Sequence, residues 1–336
     1  MINAAIIGMG GISGAHLPFY LKNKDKVKFY AGCDIIEERA TGKDKVDINI
    51  QYCGEDAALD HLVYTDYLEL LKNPQIHAVD ICTPTYLHAE IAISALKAGK
   101  DVICEKPMAL SIENAEAMIK AATESGRKLM IAQCIRFSPQ YEYIIELKKN
   151  KKYGNLLSAN FVRNSALPSW GENSWYSNLE LSGGAILDLH IHDTDFIRYG
   201  FGMPKTVYTM GNEYNGDINY VVTHYNYGEG EPLITAEGGW GQCPCDFPFR
   251  MDFTAYFEEA IIDYKDYILT VYPKNEKKIV PTFSDKSIYE LELEYFYDAI
   301  ANNTTIEKSS ALTTLDTIKL INAEKESFHS KQSVKL

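Results

Sequence analysis

Lys106, Asp188 and His192 are the residues of this chain whose types and positions could move a proton. Lys106 directly follows the apolar run 101–105, and Pro107 disfavours helical geometry at the residue before it. An ammonium at that point projects beyond the carboxyl edge of a parallel sheet, where open α/β folds gather their ligands. A cis Lys106–Pro107 bond would fix its direction further. Asp188 and His192 stand four residues apart in a segment, 184–199, whose pattern predicts a helix. They therefore share one face, and Asp195 and Tyr199 continue the stripe. An imidazole titrates near neutral pH and can act as general base or acid. A carboxylate one turn away can orient it or close a structural ion pair, and spacing leaves both readings open. His190 and His192 make no metal pair, because residues two apart on a helix project to nearly opposite sides. No metal is expected.

A second chemistry stands near the start of the chain. The apolar strand 4–8 runs into Gly8-Met9-Gly10-Gly11-Ile12-Ser13, and a strand over 27–33 ends in Asp34. Gly8 and Gly10 permit a tight turn and let the backbone approach a pyrophosphate, whose charge is favoured at a helix N-terminus. Asp34 lies where a carboxylate accepts ribose hydroxyls. Ser13 precedes Gly14, so the strict GxGxxG is missed by one residue, and a small residue suffices there. A plain βα turn would also carry glycines; strand, turn, helix and acid together point to a dinucleotide. Asp34 opposes a 2′-phosphate, no Arg or Lys follows at 35 or 36, and Arg39 is the nearest phosphate partner, so NAD is expected rather than NADP.

Composition narrows the partners. The chain has 336 residues, 46% of them apolar, and a net charge of −13, which opposes nucleic acid and anionic membranes and favours small soluble substrates. No apolar run reaches the length of a membrane span, and residues 1–8 lack a basic leader, so the expectation is a cytoplasmic protein. Seven cysteines, at 33, 53, 82, 104, 134, 243 and 245, form no CxxC pair and are expected to be buried thiols.

The elements that must position these groups fall into two textures. Through residue 135, apolar runs at 4–8, 27–34, 78–83, 101–105 and 128–132 alternate with helical patterns, the rhythm of a doubly wound parallel sheet. Gly99 and Gly126 read as helix C-caps and Ser111 as an N-cap. Pro18 inside the first helix and the long polar stretch 41–62 fit this rhythm less well. Beyond about residue 150, alternating aromatic-rich strands at 157–164, 206–211, 220–227, 233–240 and 250–257 predict a mostly antiparallel sheet, closed by helices over 288–301 and 312–327. Two domains are expected, 1–135 for a dinucleotide and 136–336, an α+β unit, for substrate and oligomer contacts. In the loop 165–182, Trp170, Trp175 and Tyr176 offer flat faces suited to a sugar ring, or to a core.

With GMGGISGAH at 8–16, TPTYLH at 83–88, EKPMAL at 105–110, RFSP at 136–139 and GGAILDLHIHDTD at 183–195, the chain resembles the Gfo/Idh/MocA oxidoreductases over nearly its whole length. The resemblance implies a Rossmann domain followed by an α/β domain whose open sheet forms a homodimer or homotetramer. It implies hydride exchange between NAD or NADP and a secondary alcohol of a sugar or cyclic polyol. Lys106, Asp188 and His192 fall on the family's catalytic positions. Gly8, Gly10, Gly11, Ile12, Asp34, Thr83, Pro84, His88 and Glu105 fall on its cofactor side. Arg136 and Trp175 are candidates to meet substrate, although Arg136 suits a structural role equally. Cys134 stands where relatives often carry Asn, and His190 where they often carry Gly, which fits a packed residue. Two other classes share this frame: a catalytically silent, cofactor-responsive regulator, and a glycosidase that uses NAD transiently.

Overall fold

Strands β1 (Ile2–Ile7), β2 (Val27–Cys33), β3 (Leu62–Tyr64), β4 (Ala78–Ile81), β5 (Asp101–Glu105) and β6 (Leu129–Ala132) form one sheet in the order β3-β2-β1-β4-β5-β6. Every pairing in it is parallel. The computed structural model describes residues 1–44, 59–168, 175–176, 178–241 and 245–336. Most of the 41–62 stretch, Trp170, Cys53 and Cys243 lie outside the described residues. β4, β5 and β6 are buried along their whole length because helices cover both faces, which is why they read as continuous apolar runs. On one face, Ile91, Leu96 and Met118 of helices His88–Lys97 and Ile112–Ser125 pack against Val79, Ile81 and Val102. On the other, Phe19 and Tyr20 of helix Ser13–Lys22 meet Leu293, Phe296 and Tyr297. The last three come from helix Ile288–Ala301, so a late segment completes the first sheet's cover. Ser287 and Glu290 start that helix with a reciprocal capping box. Gly99 and Gly126 take the positive φ that ends a helix, as expected.

The second sheet contains β7 (Leu156–Ser165), β8 (Thr206–Tyr214), β9 (Asp217–Asn226), β10 (Leu233–Trp240), β11 (Arg250–Phe257), β12 (Ala260–Lys265), β13 (Ile268–Pro273) and β14 (Val334–Lys335). Their order is β13-β12-β11-β7-β10-β9-β8-β14, antiparallel except for the parallel pair β7 and β10. Helices Pro139–Asn150, Ile191–Phe201 and Ala311–Ser330 bury one face through Ile144, Phe196 and Leu320. Tyr141 sits edge-on to Phe196 and Phe253, each at 4.8 Å, contacts worth about 1 kcal/mol apiece beyond area burial. Among the described residues no helix covers the opposite face, which exposes Met210, Leu233, Tyr256, Ile261, Ile268 and Tyr272. Helix Ala311–Ser330 also reaches the first half, where Ala311 and Leu315 join the core around helix Ile112–Ser125.

Two local departures bear on the site. The helix expected over 184–199 is instead a π-helical turn, Ile186–His190, followed by the α-helix Ile191–Phe201. Gly183 and Gly184, both at φ +76°, admit the chain into that turn. The helix Pro139–Asn150 was not anticipated; Pro139 occupies its first position, where a missing N–H costs nothing. Among the described residues, Cys33, Cys82, Cys104 and Cys134 are buried and Cys245 is exposed. No helix of the described residues is long and apolar enough to cross a membrane.

Gly8 is the tightest point of the first sheet. Its φ is +91°, and a Cβ there would stand 2.7 Å from the Cys82 carbonyl carbon and 2.8 Å from Thr83 N. The Gly8→Ala variant should therefore lose on the order of 3 kcal/mol of stability from left-handed strain plus backbone clash. Chemical denaturation measures it, and a wild-type midpoint would contradict the packing.

Candidate functional site

The candidate residues line one path along the carboxyl edge of the parallel sheet. The path begins at Asp34, just past β2, whose carboxylate accepts Met9 N–H and Ile36 N–H at 2.9 Å each. That pins the glycine turn. Gly8 N–H donates to Cys33 O at 2.8 Å, seating the turn between the ends of β2 and β4. This is where strand order reverses and a crevice opens in such sheets. The two glycines differ in what they need: Gly8 has backbone pressed against it, whereas a Cβ at Gly10 would meet no atom of the described residues within 4 Å beyond its chain neighbours. The space beside Gly10 fits a ligand that must approach the backbone closely, as a pyrophosphate does at the start of helix Ser13–Lys22. Gly11 and Ile12 close the turn, their carbonyls accepting Gly14 N–H and Ala15 N–H.

From the turn the path crosses to β4 and β5 through His88. Its Nε2 lies 2.8 Å from Thr83 O and its Nδ1 2.7 Å from Pro107 O. Burial lowers the imidazole below its usual pKa, against the raising effect of the two carbonyls. The ring is enclosed with a carbonyl oxygen close to each nitrogen, and the neutral imidazole donates its single N–H to one of them. His88 thus braces the loop after β4 against the one after β5, where the resemblance had implied contact with a cofactor. Thr83 and Pro84 remain partly exposed at the crevice, and the Pro84 carbonyl accepts Leu87 N–H. Glu105 is 5% exposed, and its Oε2 accepts Lys106 N–H at 2.9 Å, so it supports the strand exit from beneath.

Lys106 ends the path. The Lys106–Pro107 bond is cis, and the ammonium reaches the π turn of the other half, donating to the Asp188 carbonyl at 2.7 Å and to Asp188 Oδ1 at 3.2 Å. Asp188 is therefore paired with Lys106; the helix ion pair with His192 that spacing allowed is not made. His192 is partly exposed, with Nδ1 unpartnered among the described residues. Burial first, then the Lys106 ammonium and the Arg163 guanidinium, hold its imidazole well below the ordinary value. The result is a neutral ring beside a fixed cation, able to accept a proton at neutral pH.

Buried ion pairs fix the helix that carries His192. Arg163 of β7 grips Asp193 with Nε and NH2 at 2.8 and 2.9 Å, and Arg136 grips Asp195 at 2.8 and 2.6 Å. Arg136 is fully buried, and its NH1 also donates to Lys308 O and Thr313 Oγ1. Four of its five N–H bonds are spent inside the protein, which corrects the substrate role considered for it. His190 is buried as expected, its Nε2 3.2 Å from Glu324 Oε2. Trp175 stacks on Tyr176 at 4.0 Å, and Tyr176 packs with Leu189 of the π turn and Trp240. Sequence reading missed Arg163, Asp193, Glu324, His16 and Glu292. The last had a signal, because it falls on the buried stripe of its helix with Leu293 and Phe296.

The first half matches the family model described as "Oxidoreductase family, NAD-binding Rossmann fold" over residues 2–133, and residues 141–236 match the GFO/IDH/MocA C-terminal domain. The 2,7-anhydro-N-acetylneuraminate hydratase of Escherichia coli (strain K12) is 32% identical over 63% of this chain and 53% of its own length. Levoglucosan dehydrogenase of Pseudarthrobacter phenanthrenivorans is 35% identical over 41% of this chain and 36% of its own. The match thus spans about half of the former relative's length or less of the latter's. A solved levoglucosan dehydrogenase complex with NADH and levoglucosan shares the fold at TM-score 0.81 and 20% identity, covering 99% of this chain and 98% of that one.

The electrostatics of His192 can be checked without a substrate. Nitrogen NMR should find its imidazole neutral at pH values below the ordinary midpoint of about 6.5, and Lys106→Met should raise its pKa by removing the adjacent cation. An unchanged midpoint in that variant would contradict the pairing.

Proposed function

The chain belongs to the Gfo/Idh/MocA family of oxidoreductases, and we propose that it transfers a hydride between NAD and a secondary alcohol or ketone of a sugar or cyclic polyol. The observation that carries this reading is the meeting of the Lys106 ammonium, Asp188 and the neutral His192 at the sheet's carboxyl edge. When bound, the nicotinamide accepts hydride from the carbinol carbon or returns it to the carbonyl. His192 takes the hydroxyl proton during oxidation and gives it back during reduction. An ammonium has three donors; Asp188 engages two with its carbonyl and carboxylate, so one N–H remains to stabilise the developing alkoxide. Asp188 aims that ammonium. Gly8, Gly10, Gly11 and Ile12 form the turn that holds the pyrophosphate, and Thr83 and Pro84 border the crevice. Each Asp34 oxygen accepts one backbone N–H and keeps a lone pair for a ribose hydroxyl, while its charge disfavours NADP. Trp175 is a further candidate to stack on a ring.

A second reading, a net redox-neutral reaction that uses NAD transiently, is supported by the hydratase name of the Escherichia coli relative. It employs the same residues and differs in leaving no NADH behind. The uncovered face of the second sheet supports association of like chains through Tyr256, Ile261 and Tyr272.

Lys106→Ala and His192→Ala should each reduce turnover by about a hundredfold or more while NADH binding stays near wild type. Fluorescence titration and steady-state kinetics read the two effects separately, and near-normal turnover in either variant would sink the assignment. Gly10→Val should do the reverse, weakening NADH binding about tenfold or more with the unfolding midpoint unchanged, since only a ligand crowds that position.

A further inference from the structure

We propose that His16 is a positioning group for Lys106: a buried imidazolium held between Asp80 and Glu105, with Glu292 beside it as a neutral carboxylic acid. The proposal rests on the reading of Lys106 as the catalytic cation. His16 is fully buried in the helix that leaves the glycine turn. Its Nδ1 lies 2.9 Å from Asp80 Oδ2, and its Nε2 lies 3.1 Å from Glu105 Oε1 and 3.9 Å from Glu292 Oε1. The Nε2 contacts are charge contacts, off the line of a hydrogen bond. Both ring nitrogens nonetheless face carboxyl oxygens. A neutral imidazole would leave one nitrogen lone pair among carboxyl oxygens in a closed interior, whereas the imidazolium donates to Asp80 and sets its positive charge against Glu105. Burial works against that charge, but the Asp80 carboxylate, hydrogen-bonded to Nδ1, outweighs it and raises the imidazole well above its ordinary pKa.

The three carboxyl groups have different support. Asp80 Oδ2 also accepts the Tyr20 hydroxyl at 2.8 Å, and Oδ1 faces the Cys82 thiol. Glu105 Oε2 accepts Lys106 N–H. Glu292 is 0% exposed, and neither of its oxygens has a hydrogen-bond partner among the described residues. Around it stand His16 from the first helix, Asp80 and Glu105 from β4 and β5, Cys134 after β6, and Tyr289 on its own helix. A carboxylate so enclosed, beside two others and sharing one cation, keeps its proton.

The consequence reaches the site through one strand end. His16 ties the glycine-turn helix to β4 and β5 directly behind the residue that projects Lys106. The Lys106 ammonium must then meet Asp188 on the other half at 2.7 Å. Displacement of a reacting group by about 1 Å can cost about a hundredfold in rate. Loosening Glu105 should therefore lower kcat more than it changes cofactor affinity. Gln at position 16 supplies donors on one side only and cannot serve both carboxylates. Gln at position 292 reproduces a neutral acid.

Nitrogen NMR of the full chain, without substrate, reads His16 directly; its signals are assigned by their loss in His16→Gln. The expected result is an imidazolium that persists above the ordinary midpoint of about 6.5. With NAD and a turned-over alcohol, His16→Gln should lower kcat about ten- to hundredfold with NADH affinity within about threefold, and Glu292→Gln should stay within about twofold of wild type. A neutral His16, or His16→Gln with normal kcat, would overturn the proposal. So would loss of activity in Glu292→Gln, or one divalent metal per chain that this variant releases, because either makes Glu292 a carboxylate. If Lys106→Ala retained turnover, the catalytic reading would fail while the substrate-free signal still reported on His16 alone.

Discussion

The contact of the Lys106 ammonium with Asp188 is the joint on which the arrangement turns. It joins the end of a parallel strand to a π turn that belongs to the other sheet, and it is made to a carbonyl and a carboxylate of one residue. A π turn is an irregular way to begin a helix, and it recurs at functional sites because it re-aims backbone and side chains that a regular helix would stack. Here it delivers both acceptors of Asp188 to one cation and leaves His192 free of a carboxylate. The cation then has two effects on one small volume: it lowers the basicity of the neighbouring imidazole, and it offers a remaining N–H to an oxygen that gains negative charge.

Such a joint holds only if both sides are rigid. On the first side, rigidity comes from backbone closeness at Gly8, from Asp34 fastening the turn, and from His88 bridging two loops. On the second side it comes from the buried ion pairs of Arg163 with Asp193 and Arg136 with Asp195, and from Thr194, whose hydroxyl donates to Glu324. Buried pairs of this kind add little net stability over apolar isosteres. Losing one partner is costly, because a charge is left without compensation. They therefore penalise any other rotation of the helix Ile191–Phe201, whose second residue is His192. Helix Ala311–Ser330 supplies Glu324 and Thr317 to these networks and also packs on the first half, so the two sides share a brace.

Five strands of the parallel sheet were legible as apolar runs between helices, whereas β3, a three-residue edge strand that exposes Leu62 and Val63, was not. Lys106, Asp34 and the glycines were legible because strand ends and tight turns constrain residue type locally. Less was visible where geometry depends on distant partners. β12 and β13 went unread because the hairpin between them turns through Asp266 and Tyr267, both at positive φ, with no glycine to announce it. Asn215-Gly216, by contrast, does carry that signal and joins β8 to β9. Helical spacing suggested that Asp188 faces His192, yet periodicity has no sign for a π turn. Arg136 could be read as substrate-facing or structural because nothing in its neighbourhood in the chain reveals Asp195, which reaches it only once the helices pack.

Hydride transfer at this joint would carry an isotope label from the alcohol carbon to the cofactor. Sugars and cyclic polyols bearing deuterium on single carbinol carbons would be incubated with NAD and the full chain, and the cofactor analysed by mass. The account predicts that deuterium from one ring position enters the cofactor, whether NADH accumulates or is consumed again within the turnover. Tight cofactor binding with no label transferred from any of these alcohols, and none taken up in the reverse direction from labelled NADH, would contradict it.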